Sequence, residues 1–189
     1  MKPILFNTEM VQAIQAGRKT ETRRLIRRNK HGYLIKPYEE GDVLYVREAW
    51  DFLPCITCMD KNCQWKPDVL ETAEEITEGC FLYRADGGNP VFINGHNWRP
   101  SIHMPKQAAR IFLKVTSVRY QDLQDITDEE ARNEGCGERR SFYKPDTLRK
   151  RFAELWDSTV PKGRRDRDGW AANPDVWVIR FERVGKPEK

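Results

Sequence analysis

The sequence lacks any long apolar run, and none of its hydrophobic stretches approaches the roughly 20 residues that a membrane-spanning helix needs. Its beginning passes from Met1 into a polar segment at residues 7–9 without the apolar core of a signal peptide. These two absences predict a cytoplasmic protein with no membrane partner. Cysteines in that compartment are more often reduced or metal-bound than disulfide-bonded.

The sequence also has little net charge, because 33 Lys and Arg residues face 29 Asp and Glu residues, which leaves +4. That excess alone does not point to nucleic acid. The charges are unevenly distributed, however: residues 18–30 hold seven basic residues and one acidic residue, and residues 122–134 hold six acidic residues and one basic residue. A basic patch beside a separate acidic helix suits a phosphate-bearing partner. Two solvated faces explain the same runs equally well.

Internal repeats, low-complexity tracts and a regular alternation of strands with helices are also missing. Hydrophobic residues make up 39% of the chain, which is enough for a core. The patterns predict short strands and few helices, and therefore an α+β fold built on a small β-barrel with peripheral helices. We expect one domain over residues 1–189, a cysteine-containing insertion at 51–79, and a C-terminal helix and closing strand at 145–189.

Local signals place these elements along the chain. Predicted strands and extended segments cover residues 19–26, 43–50, 80–84, 110–118 and 176–182. A helix capped by residue 7 or 8 is expected to end at Gly17. A second helix opens with a capping box at Thr127 and is expected to end at Gly135. A third is expected from Pro145, with an apolar face that includes Phe152.

The segment at residues 17–24 reads Gly-Arg-Lys-Thr-Glu-Thr-Arg-Arg and brings three kinds of functional group into one short stretch. Lys19 supplies an amine, Thr22 a hydroxyl and Arg24 a guanidinium, which together suit an anionic or carbonyl-rich ligand. Lys19 can activate the hydroxyl only if its pKa is lowered towards roughly 7 to 8. Positions 19 and 22 of a regular strand face opposite sides, so the chain must bend between them. A solvated lysine beside a β-favouring threonine is the alternative interpretation.

The same segment, Gly-x-Lys with four residues before the final Arg, resembles the signature of the ASCH domains, which are relatives of the RNA-binding PUA domains. Three further segments are similar to that family, at residues 41–46, 123–127 and 176–182. The stretch Trp-Arg-Pro-Ser-Ile-His-Met-Pro at 98–105 is similar to prophage-borne ASCH proteins, whose activity is generally unassigned. The resemblance implies a PUA-like β-barrel and does not cover residues 51–79.

One small class of ASCH enzymes, the acetylcytidine amidohydrolases, uses a Lys, a Thr three residues later and a distant Glu. The resemblance implies Thr22 as nucleophile, Lys19 as its activator and Glu134 as proton shuttle or orienting group. This chain is much longer than that class, so the substrate does not carry over with the residues. For Glu134, a solvated helix carboxylate is the alternative.

Four cysteines form a second candidate site. Cys55 and Cys58 have the two-residue spacing of a zinc knuckle, and Cys63 and Cys80 follow at longer intervals. A structural zinc ion held by four thiolates would explain how a polar insertion keeps its shape. Reduced, unliganded cysteines are the alternative.

Aromatic and cationic residues form a third candidate group, which would stack a base and hold a phosphate. Its members are Trp50, Trp98, Arg99, His103 and Trp170, and the predicted ligand-binding residues also include Arg18, Arg23 and Arg24 of the basic run. Core or rim packing is the alternative for the tryptophans, and a hydrogen-bonded structural role is the alternative for His103.

Three functions follow from these patterns. The first is binding of RNA or a nucleotide-like ligand in a cleft lined by Lys19, Thr22 and Arg24, and the second is amide hydrolysis on an acylated nucleoside. The third is a phage accessory protein that binds a host protein through the acidic helix. We find no histidine pair or carboxylate cluster that would specify a ribonuclease.

Overall fold

The computed structural model describes residues 1–54, 68–71, 76–87, 97–137 and 147–187. Ten strands and four α-helices lie in this part of the chain. The strands are β1 (Lys2–Leu5), β2 (Glu21–Leu25), β3 (Arg27–Arg28), β4 (Leu34–Ile35), β5 (Val43–Arg47), β6 (Trp50–Pro54), β7 (Asp68–Glu71), β8 (Ile76–Tyr83), β9 (Phe112–Asp122) and β10 (Asp175–Val184). The helices are α1 (Thr8–Gln15), α2 (Asp128–Asn133), α3 (Leu148–Thr159) and α4 (Arg165–Asp168). The predicted α+β class is confirmed.

Two compact units divide the chain. The first comprises Met1–Gln12, Leu44–Phe112 and Val184–Lys189, and the second comprises Ala13–Val43 and Leu113–Arg183. A mixed five-stranded sheet supplies the neighbouring strands β1 and β5 to the first unit and the neighbouring strands β9, β10 and β2 to the second. Each unit is therefore assembled from segments that are distant in sequence.

The first unit contains a parallel pair and a separate three-stranded sheet. Strands β1 and β5 run parallel, with Lys2 opposite Leu44. Strands β6, β8 and β7 form an antiparallel sheet in that order, with Trp50 opposite Tyr83. The described part of the predicted insertion at 51–79 therefore lies in this second sheet.

One ion pair stands out in the first unit. The Arg110 guanidinium donates to both carboxylate oxygens of the buried Glu48, at 2.9 and 3.1 Å. The same guanidinium lies 3.7 Å from the centre of the Tyr83 ring and donates to Asp86 at 2.5 Å. A buried carboxylate needs such a partner, and this contact provides it.

The second unit packs helices α2 and α3 against β10 through an apolar cluster. The alternating pattern of β10 sends its even-numbered valines towards these helices. The cluster consists of Leu123, Ile126, Ala131, Cys136, Leu148, Phe152, Trp156, Val160, Val176 and Val178. Strand β2 pairs antiparallel with β10, with Thr22 opposite Ile179, and is the last strand of the sheet on that side.

The predicted helix ends are confirmed where the structure describes them. The Asn7 side chain accepts from the Met10 amide at 2.8 Å, and Gly17 follows α1 with a φ of +70°. Thr127 and Glu130 form the capping box of α2. The third helix begins at Leu148, with the Thr147 side chain as its cap, whereas Pro145 lies outside the described residues. No helix in the described ranges is long and apolar enough to cross a membrane.

Candidate functional site

Lys19 and Glu134 meet inside the second unit. The Lys19 ammonium donates to Glu134 Oε2 at 2.5 Å, to the Glu134 carbonyl at 2.9 Å and to the Glu21 carbonyl at 2.8 Å. An ammonium has three protons, and these three acceptors match that number. The exposed fraction is 2% for Lys19 and 3% for Glu134. The structure thus brings together Lys19 and Glu134, the two charged residues of the predicted site, which are more than a hundred positions apart in the sequence.

Two glycines allow this close approach. Gly17 turns the chain at the end of α1, so that the amides of Arg18 and Lys19 both donate to the Ala13 carbonyl. Gly135 follows α2 with a φ of +92°, and a Cβ there would lie 2.9 Å from Ala13 Cβ and 3.3 Å from Lys19 Cβ. Because a side chain at 135 would be both strained and crowded, glycine is required where α2 ends beside Lys19.

Arg23 holds the other side of the Glu134 carboxylate. Its guanidinium donates to Glu134 Oε1 at 3.2 Å, to Glu21 at 2.9 Å and to Glu130 at 3.1 Å. Arg23 is 3% exposed. The Arg23 guanidinium therefore contacts carboxylates of its own unit, and ligand binding by Arg23 stays a prediction.

Further cations from distant strands complete a charge network. Arg180 of β10 donates to Glu21 at 2.6 Å, and Arg119 of β9 donates to Glu21 at 3.4 Å and also to Glu130. The charge network is defined as Lys19, Glu21, Arg23, Arg119, Glu130, Glu134 and Arg180. Four cations and three carboxylates therefore neutralise most of one another in this part of the unit.

The side chains of Thr22 and Arg24 lie on the face of β2 opposite to those of Glu21 and Arg23, because neighbouring side chains of a strand alternate between its two faces. Thr22 is 2% exposed and Arg24 is half-buried. Burial lowers the pKa of Arg24, and the negative charge of Glu134 offsets part of that effect. Since β2 is an edge strand, Glu134 at its margin interacts with cations from both faces of the strand.

The burial of Lys19 changes its acid–base chemistry. Removal from water lowers the pKa of Lys19, and the charge and hydrogen bond of Glu134 offset part of that effect. A lysine with a lowered pKa can lose its proton and then accept one from a hydroxyl group. Lys19 lies before the regular part of β2, so the alternation that would separate positions 19 and 22 in an ideal strand does not apply to it.

The Cys136 thiol shares this environment. Burial, and to a lesser degree the charge of Glu134, raises its pKa to about 11. A thiol with so high a pKa stays protonated at neutral pH, and it is therefore a weak nucleophile. Cys136 belongs to the apolar cluster of the second unit rather than to the reactive groups.

The remaining predicted ligand residues are distributed differently. Arg18 is exposed and donates to the Gly135 carbonyl at 3.4 Å. Trp50 belongs to the first unit and is 3% exposed, with the Arg99 guanidinium 5.1 Å from its ring centre. Base stacking on Trp50 stays a prediction, and it requires the side chains that cover the ring to move. Trp98 is half-buried, and His103 is exposed in a short turn of the first unit.

The predicted zinc site falls largely outside the described ranges. Cys55, Cys58 and Cys63 lie outside them, and Cys80 is half-buried in β8 opposite Leu53. Among the residues that the structure describes, no group of three or more potential ligands is arranged to hold a metal ion. The zinc site stays a prediction.

The acidic run at 122–134 is largely used within the second unit. Glu130 and Glu134 turn into the charge network, and Asp128 accepts from the Arg149 amide at 2.9 Å. These internal contacts reduce the charge that α2 offers to a partner protein. They weaken the interpretation of this helix as a docking surface.

Comparisons with models of known protein families, with curated proteins and with solved structures find no match to this chain. The resemblance to the ASCH domains therefore depends on the sequence segments at 17–24, 41–46, 98–105, 123–127 and 176–182.

Sequence reasoning missed the residues that surround the Lys19–Glu134 pair. Glu21 and Arg23 are two positions apart in a strand, and this spacing alone places them on one face. That signal was sufficient to predict their pairing. Arg119 and Arg180 carry no such signal, because they come from strands about 100 and 160 residues further along the chain.

Proposed function

We propose that the second unit binds a nucleotide-like ligand at the edge strand β2 and hydrolyses an acyl amide on it. The observation that carries the proposal is the buried ion pair between Lys19 and Glu134. Thr22, three residues after Lys19, is buried as well. Burial lowers the pKa of such a lysine, and this is the direction that a proton acceptor needs. The agreement with the Lys, Thr and Glu of the acetylcytidine amidohydrolases supports amide hydrolysis, and it makes acylated nucleosides the first substrates to test.

In the proposed reaction, neutral Lys19 takes the proton of the Thr22 hydroxyl as its oxygen attacks the amide carbonyl carbon. The Arg24 guanidinium balances the negative charge that develops on the carbonyl oxygen. Collapse of the adduct breaks the C–N bond, and Lys19 returns the proton to the departing amine. Water then hydrolyses the acyl ester of Thr22 and releases the carboxylic acid. Glu134 keeps the Lys19 side chain in place, and its carboxylate balances the positive charge of Lys19 whenever the amine is protonated.

The substrate reaches Thr22 from the side of Arg24 in this proposal. Arg24 and Tyr38 are half-buried, whereas Lys19 and Thr22 have almost no exposed surface. Burial lowers the pKa of Arg24 and raises that of Tyr38, and the two groups interact electrostatically. Arg24 also interacts electrostatically with Glu134, so it is one of the partly exposed groups that act on the buried pair.

A PUA-like ASCH barrel is the fold that we assign to this site. Support comes from the signature at residues 17–24, from the mixed five-stranded sheet and from the peripheral helices. The Lys19 segment forms a bridge with Glu134 at the end of α2, and the resemblance implies Glu134 as the distant glutamate of the amidohydrolase motif.

Binding of RNA or a nucleotide-like ligand without catalysis is the second candidate. The specific observation in its favour is the burial of Lys19, Thr22 and Glu134, each at most 3% exposed. A carbonyl group cannot reach Thr22 unless the surrounding side chains move. A binding protein needs only the accessible cations of the same segment.

Release of acetate from acetylcytidine and related acylated nucleosides tests the proposal. We expect Thr22→Ala to lower kcat by at least about a thousandfold, because it removes the nucleophile, and Thr22→Ser to retain part of the activity. Thr20→Ala is the matched control, since this exposed hydroxyl lies two residues away. Unchanged turnover in Thr22→Ala would exclude Thr22 as the nucleophile. A wild-type protein that releases no acid from any acylated nucleoside would overturn the proposed hydrolysis and favour ligand binding without catalysis.

A further inference from the structure

A short hairpin follows β2 and is exposed throughout. Strands β3 and β4 pair antiparallel, and the turn between them is fixed by the Asn29 side chain, which accepts from the amides of His31 and Tyr33. Every residue from 27 to 36 is exposed. No acidic residue occurs between positions 22 and 38. The hairpin therefore presents positive charge to the solvent, and at its end Lys36 pairs with Glu39 at 2.6 Å.

The hairpin also exposes apolar groups of a size that proteins normally bury. The exposed fractions are 72% for Tyr33, 41% for Leu34 and 46% for Ile35. Arg27 lies opposite Ile35, and the Asn29 amide donates to the Tyr33 carbonyl one step further on. Alternation then places Arg27, Tyr33 and Ile35 on one face of the hairpin. An aromatic ring, an aliphatic side chain and a guanidinium thus share one exposed surface.

Contacts with β9 and β10 hold the hairpin and extend this surface. The Trp177 indole N–H donates to the Ile35 carbonyl at 3.0 Å. The Tyr120 ring packs edge-on against Trp177 at 6.4 Å and is itself 52% exposed. A hydrogen bond with Asp175 raises the pKa of Tyr120, and the charges of Asp122 and Arg28 also act on this hydroxyl group. Acidic and basic groups therefore meet beside Tyr120.

We propose that the hairpin surface, defined as Arg27, Arg28, Lys30, Tyr33, Leu34 and Ile35, binds single-stranded RNA. The guanidinium groups suit phosphates, and the exposed Tyr33 ring suits an unpaired base, which stacks on aromatic side chains. A duplex hides its base faces, so it cannot use Tyr33 in this way. The choice of RNA over other strands rests on the proposed function, because the acylated substrate is a ribonucleoside. The hairpin then holds the nucleotides that flank the acylated base, whose amide is hydrolysed at β2.

The test is a fluorescence anisotropy titration of the full chain with a labelled single-stranded RNA of about 12 nucleotides that carries no acyl group. Tyr33→Ala is expected to weaken binding by about fivefold or more, and Tyr33→Phe to keep the stacking contact. Each phosphate contact to a single strand contributes a slope of about 0.7 to the logarithmic salt dependence. Removal of two contacts in the variant R27Q/R28Q should therefore reduce the slope by about 1.4.

The matched control removes two exposed positive charges elsewhere. The variant K162Q/K186Q is expected to bind RNA with nearly wild-type affinity, and circular dichroism checks that every variant is folded. Wild-type affinity in both Tyr33→Ala and R27Q/R28Q would overturn the proposal. So would equal affinity for a duplex of the same sequence, or binding to vesicles of anionic lipid in place of RNA. Equal affinity for single-stranded DNA would overturn the choice of RNA.

This titration is independent of catalysis, since the RNA contains no scissile amide. Intact RNA binding together with no acetate release would overturn the proposed hydrolysis alone. Acetate release from a free nucleoside together with no RNA binding would overturn the hairpin proposal alone.

Discussion

Arg23 and Arg27 are four residues apart in one basic run, yet they occupy opposite environments. Arg23 is 3% exposed and contacts three carboxylates, whereas Arg27 is exposed in a hairpin that has no acidic residue. The difference arises because β2 contacts α2, whereas β3 and β4 pair with each other in a separate two-stranded sheet. A run of positive charge in the sequence therefore does not identify which cations are available to a phosphate.

The largest contrast is expected in stability. Arg23→Gln leaves Glu21, Glu130 and Glu134 with less compensation inside the unit, and breaking a buried pair in this way costs about 3–5 kcal/mol. Arg27→Gln removes an exposed charge and should change the free energy of unfolding by less than about 0.5 kcal/mol. Urea denaturation of both variants measures the difference. Similar values for the two variants would mean that the charge network contributes little to stability.

A second contrast uses two glycines with the same backbone geometry. Gly135 has a φ of +92° beside Lys19, and Gly32 has a φ of +84° in the hairpin. Substitution by Ala strains both positions by about 1 kcal/mol. Only at Gly135 would the new Cβ also lie 2.9 Å from Ala13 Cβ, which adds about 1–3 kcal/mol of overpacking. Thermal unfolding should therefore show a larger loss for Gly135→Ala, and equal losses would contradict the crowding.

The smallest expected effect is on how the free energy of unfolding changes at acidic pH. Burial alone would raise the pKa of Glu130, but the Thr127 amide, Arg23 and Arg119 outweigh it and hold the pKa below its usual range. A carboxyl with a lowered folded pKa contributes stability above its unfolded pKa of about 4.3 and loses it as the pH falls through the folded pKa.

Unfolding measured between pH 6 and pH 3 should therefore be less pH-dependent in Glu130→Gln than in wild type. Arg27→Gln serves as the comparison, because it leaves the contacts of Glu130 in place and should follow the wild-type curve. A Glu130→Gln curve parallel to that of wild type would show that this carboxyl does not titrate differently on folding.

The elements of this fold could be predicted largely from local signals. The strands β9 and β10, the capping box at Thr127 and the turns at Gly17 and Gly135 all depend on nearby residues. The site could be predicted only in part. The motif pointed to Lys19 and Glu134, but the partners of Arg23 depend on how three strands and α2 assemble.

The exposure of the hairpin could not be predicted for the same reason. The residues Tyr33, Leu34 and Ile35 form a short apolar run, which is typical of a strand with a buried face. In the described part of the chain, Leu34 and Ile35 pair instead with Arg28 and Arg27, and Tyr33 with Asn29, in a sheet of two strands. Burial is a property of the assembled sheet and cannot be derived from the run alone.

The position of β2 at the end of its sheet also bears on self-association. An edge strand presents unpaired amides and carbonyls on which the edge of another molecule can align, and inward-pointing charges oppose such alignment. Here the Thr20 amide is already bonded to the Asn133 carbonyl, and Glu21 and Arg23 carry their charges inward. A residue pair that holds the candidate site together therefore also protects the protein from strand-by-strand aggregation.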